Sequence, residues 1–247
     1  MVARLAIVIA LGVGLLPVGP AGAVTLFGPS PYLCFDTATA PAGCGGADSP
    51  FKSLSFSSFF LETFEDGLLN TPGVSASSGA PFPPTGITDS VDADDGTIDG
   101  SGTGGRSFFT SPPVTFTFSS VALGGLPTHV GIAWTDGAGT ISFSASGPGG
   151  VLAPCAVAGF SDAGSPDGGI SGTTGDDRFF GCSDPGGVSS ITISNTAGGI
   201  EVDHLQYGLA AAGPGPVTPG VPAPAGLILI GSGLMSMAIA RRLRRRR

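Results

Sequence analysis

Apolar and polar positions alternate with a period of two along much of residues 24–209. Val114, Phe116 and Phe118 alternate with Thr115 and Thr117. Val130, Ile132 and Trp134 alternate with Gly131 and Ala133, and Ile141 and Phe143 with Ser142 and Ser144. Ile191 and Ile193 flank Thr192, and a run that starts at Leu54 and Phe56 becomes continuous at Phe59-Phe60-Leu61. Period two in β-branched and aromatic residues predicts half-buried strands. Pro112-Pro113, Asp136-Gly137, Pro148-Gly149-Gly150, Pro185-Gly186-Gly187 and Gly198-Gly199 punctuate the runs as turns. The predicted class is all-β, an antiparallel β-sandwich or jelly roll.

The last run, 200–207, breaks phase. Ile200 and Val202 point one way, Leu205 and Tyr207 the other. Either the strand is buried on both faces or it carries a bulge near Asp203-His204. Residues 71–85, rich in Ser, Gly and Pro, are expected to form a long surface loop. Residues 210–220 hold three prolines and read as an extended linker.

Composition sharpens this picture. The 247 residues include 43 Gly and 22 Pro, which excludes a helical bundle. Only 11% are charged, which argues against a charge-rich disordered chain. All 16 Phe fall within residues 24–209, where a core is needed. Trp134 lies on an alternating apolar face, so core packing is its expected role rather than stacking on a sugar. Eighteen acidic residues and three basic ones (Lys52, Arg106, Arg178) give the body a net charge of −15. That charge disfavours nucleic acid as a partner.

The ends are different. Arg4 precedes an apolar run over 5–16, and Pro17 and Pro20 break it. Ala21 and Ala23 place small residues at the positions a signal peptidase reads. Residues 1–23 are thus an expected signal peptide for Sec-type export, cleaved after Ala23. Twelve apolar residues are too few to span a membrane. At the other end, residues 225–240 are uncharged and precede Arg241, Arg242, Arg244, Arg245, Arg246 and Arg247. As a helix these residues rise about 24 Å, slightly under a usual span. The arginines are expected to stay cytoplasmic, leaving an inner-membrane intermediate.

Val221-Pro222-Ala223-Pro224, the Gly-containing apolar stretch and the terminal Arg cluster together resemble a PEP-CTERM sorting signal. That resemblance implies an exported bacterial protein whose tail, residues 221–247, is recognised by an exosortase-like enzyme. Ala223 stands where the family's motif has Glu. Residues 60–69, 89–100, 123–137 and 200–208 also resemble the bodies of other exported PEP-CTERM proteins.

Four cysteines, an even count in an exported chain, suggest disulfides. Of three possible pairings, Cys34–Cys44 and Cys155–Cys182 close the most local loops. Zinc is disfavoured, because no Cys-x-x-Cys occurs and the two His are distant in sequence.

The densest acidic cluster runs from Asp89 to Asp99, and within it Asp92, Asp94, Asp95 and Asp99 crowd together with Gly96 and Gly100. Hard oxygens on a turning backbone suit a structural Ca²⁺. The spacing is not that of an EF-hand, and a solvated acidic loop is an equal reading. Glu65 and Asp66 near the first strand and Asp203 in the last are further candidate ligands. Their placement resembles jelly-roll carbohydrate-binding and adhesion domains that hold Ca²⁺ between first and last strands.

Catalytic signals are weak. Neither Gly-x-Ser-x-Gly nor His-Glu-x-x-His occurs. His129 and His204 are candidate bases, although loop or edge roles are commoner. The expected function is therefore non-enzymatic: an exported surface or envelope protein, structural within the extracellular polysaccharide matrix. The alternative is a calcium-supported glycan-binding module, and after it a glycan-active enzyme.

Overall fold

The computed structural model describes residues 22–35, 44–161 and 172–211. Most of the expected signal peptide, and the linker and sorting signal from residue 212 onward, lie outside the described residues. Among the described residues no helix is long and apolar enough to cross a membrane.

Among the described residues, thirteen strands form two antiparallel sheets. They are β1 (Thr25–Pro31), β2 (Phe56–Glu62), β3 (Val74–Ala76), β4 (Ala80–Phe82), β5 (Ser107–Thr110), β6 (Val114–Phe118) and β7 (His129–Gly137). After these come β8 (Thr140–Gly147), β9 (Gly150–Val151), β10 (Val157–Ser161), β11 (Arg178–Ser183), β12 (Ser190–Ser194) and β13 (Ile200–Ala210). The first sheet runs β1-β11-β7-β13-β5-β4, with β2 also on β13. The second runs β10-β8-β12-β6-β3, with β9 on β8.

The sheets pack face to face as a sandwich. Phe116, Phe118, Ile141, Phe143, Ile191 and Ile193 of the second sheet meet Ile132, Trp134, Phe180, Val202, Leu205 and Tyr207 of the first. Ring pairs Phe108–Phe116, Phe118–Tyr207 and Phe143–Phe180 bridge the layers, with centroids 5.0–5.7 Å apart. Each large side chain taken fully from water contributes about 1.5–3 kcal/mol. Trp134 is fully buried here, as its alternating neighbours predicted. The Cys155–Cys182 disulfide joins the turn before β10 to β11 and so ties the two sheets together. Cys34 and Cys44 are also paired.

The first sheet is covered on its outer face too. Tyr32, Phe51 and Val91 pack there on Ala133 of β7 and Phe179 of β11, with Phe27, Phe56 and Phe59 at the margin. This second layer explains the phase break in β13, where both readings hold together. Ile200 to Gly208 are all buried, and the register against β7 shifts between Asp203 and Gln206. His204 takes φ = 43° at that bulge, a left-handed conformation uncommon outside glycine. The bulge falls where β13 changes partner, from β5 (through Val202) to β2 (from Leu205).

One expectation is corrected. Residues 71–85 are not a continuous loop, because they contain β3 and β4, which pair with β6 and β5. Each is a three-residue edge strand, too short to show a period among Ser, Gly and Pro.

Candidate functional site

The polar chemistry gathers on the outer face of the first sheet, where β13 presents Glu201, Asp203, His204 and Gln206. All four are at most 7% exposed. Two of these carboxylates hold down the segment at 89–91. Glu201 Oε2 accepts Asp89 N–H at 2.8 Å and the Ser107 hydroxyl at 2.7 Å. Asp203 Oδ2 accepts Val91 N–H at 2.9 Å, and its Oδ1 accepts His204 N–H at 2.7 Å. Burial raises the pKa of both carboxyls, and for Asp203 the nearby Asp94 raises it further.

His204 stands in a directional chain. Its Nε2 lies 3.0 Å from both Asp94 oxygens, and its Nδ1 2.7 Å from the Tyr32 hydroxyl. Gln206 Nε2 donates to that hydroxyl at 2.8 Å, and Ser49 Oγ donates to Gln206 Oε1 at 2.5 Å. Each donor meets one acceptor when His204 carries its proton on Nε2 and Tyr32 donates to Nδ1. Burial, with Asp94 and Asp203 nearby, drives the Tyr32 pKa well above the usual phenol value. His204 is 3% exposed and Tyr32 0%, while Asp94 at the end of this chain is 12% exposed. The evident work of these hydrogen bonds is to fix the bulge and the outer layer.

A second group lies close by. Asp89, Asp176 and Asp177 each offer a carboxylate oxygen within 4.8 Å of the others. All three are at most 1% exposed. Among the described residues, neither side-chain oxygen of Asp177 has a hydrogen-bond partner. Burial pushes the Asp177 pKa well up, and Asp89 and Asp176 add repulsion.

The seven candidate calcium ligands do not share one site. Asp92 is buried and serves as a turn anchor: it accepts from Asp99 N–H, Gly100 N–H and the Thr174 hydroxyl at 2.6–2.9 Å. Asp95 and Asp99 are exposed, and Asp66 is exposed in a turn with Leu68 and Asn70. Asp94 and Asp203 converge on His204. Glu65 faces the same group: its pKa is raised by burial, and Asp94 adds to the rise. Its Oε1 accepts Arg106 N–H. The sequence placed Asp89 at the start of the acidic cluster and Glu201 beside Asp203 in the last strand, but gave Asp176, Asp177 and Tyr32 no site role. The signal for Asp176 and Asp177 was an adjacent Asp pair in a charge-poor chain. The stretch 100–105 matches the letters of Gly-x-Gly-x-x-Gly but lies in a loop rather than between a strand and a helix. The cluster of Cys34, Cys44 and Asp48 offers no thiolate, because its cysteines are bonded to each other.

His129 lies apart, half-buried against Phe27, Phe51 and Phe56, and burial lowers its pKa. At the rim, a cleft of about 230 Å³ is lined by Ile87, Phe109, Asp136, Gly137 and Glu201 among others. Ile87 is 64% exposed and Phe109 41%.

No protein-family model matches the chain, and no curated protein matches it either. Among solved structures it is similar to the K1 cleaved adhesin domain of Lys-gingipain from Porphyromonas gingivalis W83. The identity there is 12% and the TM-score 0.37, over 62% of this chain and 99% of that one. The K2 cleaved adhesin domain of Lys-gingipain gives 13% identity and a TM-score of 0.37, over 62% of this chain and all of that one.

Proposed function

We propose that the chain is an exported bacterial surface protein whose sandwich is a structural module of the extracellular polysaccharide matrix. In this reading a signal peptidase releases residues 1–23 and an exosortase-like enzyme processes the PEP-CTERM-like tail. The observation that carries it is the pairing of all four cysteines, one pair linking the two sheets. Such bonds persist in oxidising compartments outside the cytoplasm. Cell fractionation with an antibody to the body, and mass spectrometry of the mature chain, test it. The expected species lies at the surface or outside the cell, begins at Val24 and lacks the Arg cluster. A cytoplasmic protein with reduced cysteines rejects export, and an intact Arg247 on the surface species rejects processing.

A second reading is glycan binding at the rim cleft. It is favoured by the exposed Phe109 ring on the wall of this cleft, beside the exposed Ile87. An exposed aromatic face in a cleft suits stacking of a sugar ring. Pull-down on matrix polysaccharide should weaken for Phe109→Ala; equal retention of the variant rejects this site.

A further inference from the structure

We propose that Asp89, Asp176 and Asp177 form a buried cage for one divalent cation of the Ca²⁺ type, stapling segment 88–102 to segment 172–177. The site goes beyond the matrix reading and does not depend on it.

Geometry is the first argument. The three carboxylates come from two segments far apart in sequence, and their ligand atoms lie within 4.8 Å of one another. Two oxygens on opposite sides of an ion bound at about 2.4 Å are themselves about 4.8 Å apart. Asp89 and Asp176 are each 1% exposed and Asp177 0%. Three carboxylates supply up to six oxygens, within the range Ca²⁺ accepts.

Asp177 is the second, independent argument. It is wholly buried, yet among the described residues neither carboxylate oxygen has a hydrogen-bond partner. Its backbone carbonyl is served instead, by Tyr32 N–H at 3.1 Å and Arg178 Nη1 at 2.8 Å. The charges acting most on it come from Asp89, Asp176, Asp203 and Asp92, all acidic. An ionised carboxylate so placed is strongly disfavoured unless a cation compensates it.

The backbone is shaped to bring these groups together. Gly102 N–H donates to Gly172 O at 3.0 Å, and Ser90 N–H to Gly102 O at 3.1 Å. A Cβ at Gly102 would stand 2.5 Å from Asp89 Oδ1. A Cβ at Gly172, where φ is +62°, would stand 2.5 Å from the Thr88 carbonyl. The two glycines therefore let three stretches of chain close around the cage.

The donor set names the ion class. Carboxylate oxygens alone favour a hard cation over zinc or copper. A site sealed from solvent favours Ca²⁺ over Mg²⁺, which keeps several of its waters.

The full-length chain in detergent, stripped with EDTA and then dialysed free of it, tests the proposal by calorimetric titration with CaCl₂ or MgCl₂ and by thermal melting. Tight binding of a single Ca²⁺ per chain is expected. Ca²⁺ at about 100 times Kd should raise the Tm by about 5–10 °C over EDTA. Mg²⁺ should bind more weakly by about tenfold or more. Asp177→Asn should abolish the Ca²⁺ shift and melt above wild type in EDTA, because repulsion is removed; that rise separates lost binding from failed folding. Asp95→Asn, in the exposed acidic loop, should retain full binding. Equal melting of wild type in Ca²⁺ and EDTA overturns the proposal. So does an undiminished Ca²⁺ shift in Asp177→Asn, or its loss in Asp95→Asn.

Discussion

Two acidic groups sit side by side on the outer face of one sheet, and they are solvated by the protein in opposite ways. Around Asp203 the carboxylate oxygens accept backbone N–H groups from Val91 and His204, and His204 in turn meets Asp94. Around Asp177 the side-chain oxygens find no donor among the described residues. Both groups are buried, and burial raises the carboxyl pKa in both. The difference shows that burial alone does not identify a ligand site. A carboxylate supplied with donors is part of the scaffold, and one without them needs a cation or a proton.

The comparison breaks most readily at Asp203. Asp203→Ala leaves two buried N–H groups without acceptors, at a cost of about 2–5 kcal/mol. Asp203→Asn keeps a single acceptor oxygen, and its loss should be about 1–3 kcal/mol. Urea unfolding measures both. The losses should be equal in Ca²⁺ and in EDTA, because this group has its own donors. A loss that appears only with Ca²⁺ present would merge the two groups into a single cation site.

A smaller effect is expected at Tyr32. Tyr32→Phe keeps the ring on Phe179, at 5.7 Å between centroids, and removes only the hydroxyl. His204 Nδ1 then loses its donor, and Gln206 Nε2 keeps only the His204 carbonyl at 3.3 Å. The expected cost is about 1–3 kcal/mol. A double-mutant cycle with Asp94→Asn should show coupling of about 0.5 kcal/mol or more, because both belong to the same chain of hydrogen bonds. Strict additivity would mean that the chain is not a unit.

How much of this was legible in the sequence follows from the same two-sided burial. Strands β6, β8 and β12 alternate because their inner faces meet the core, and β7, buried on both faces, still alternates because small Gly131 and Ala133 separate its large inner residues. All four could be read directly. Strand β11 could not, because Phe179 and Phe180 pack on opposite faces and erase the period. In β1, Pro29 and Pro31 masked an edge strand that pairs only with β11. The disulfides were legible because each closes a local loop. The acidic site was legible only in part. Density along the chain selected residues 89–99, of which Asp95 and Asp99 are exposed and Asp92 anchors a turn. Asp89, Asp176 and Asp177 become neighbours only through topology, and no local spacing announces that.

The smallest effect concerns His129, and it sharpens the comparison by isolating the carboxylates in a pH profile. His129 is half-buried among three Phe rings, and burial lowers its pKa. The unfolded chain takes up that proton near pH 6.5, before the folded chain does. Its contribution to stability is therefore complete above about pH 6.5 and is lost as pH falls through the depressed folded value. Glu65 and Asp203 have raised values and the opposite sign: their contribution is complete below about pH 4 and is lost as pH rises through the folded values. Between pH 7.5 and 5.5 in EDTA, His129 and the carboxylates thus pull in opposite directions. His129→Gln removes the imidazole's share, which solvent screening should hold under about 0.5 kcal/mol. The variant's stability should then stay level or rise on acidification, while the wild type falls short of it. Parallel profiles for the two proteins would show that His129 contributes nothing, and would leave the whole slope to the buried carboxylates.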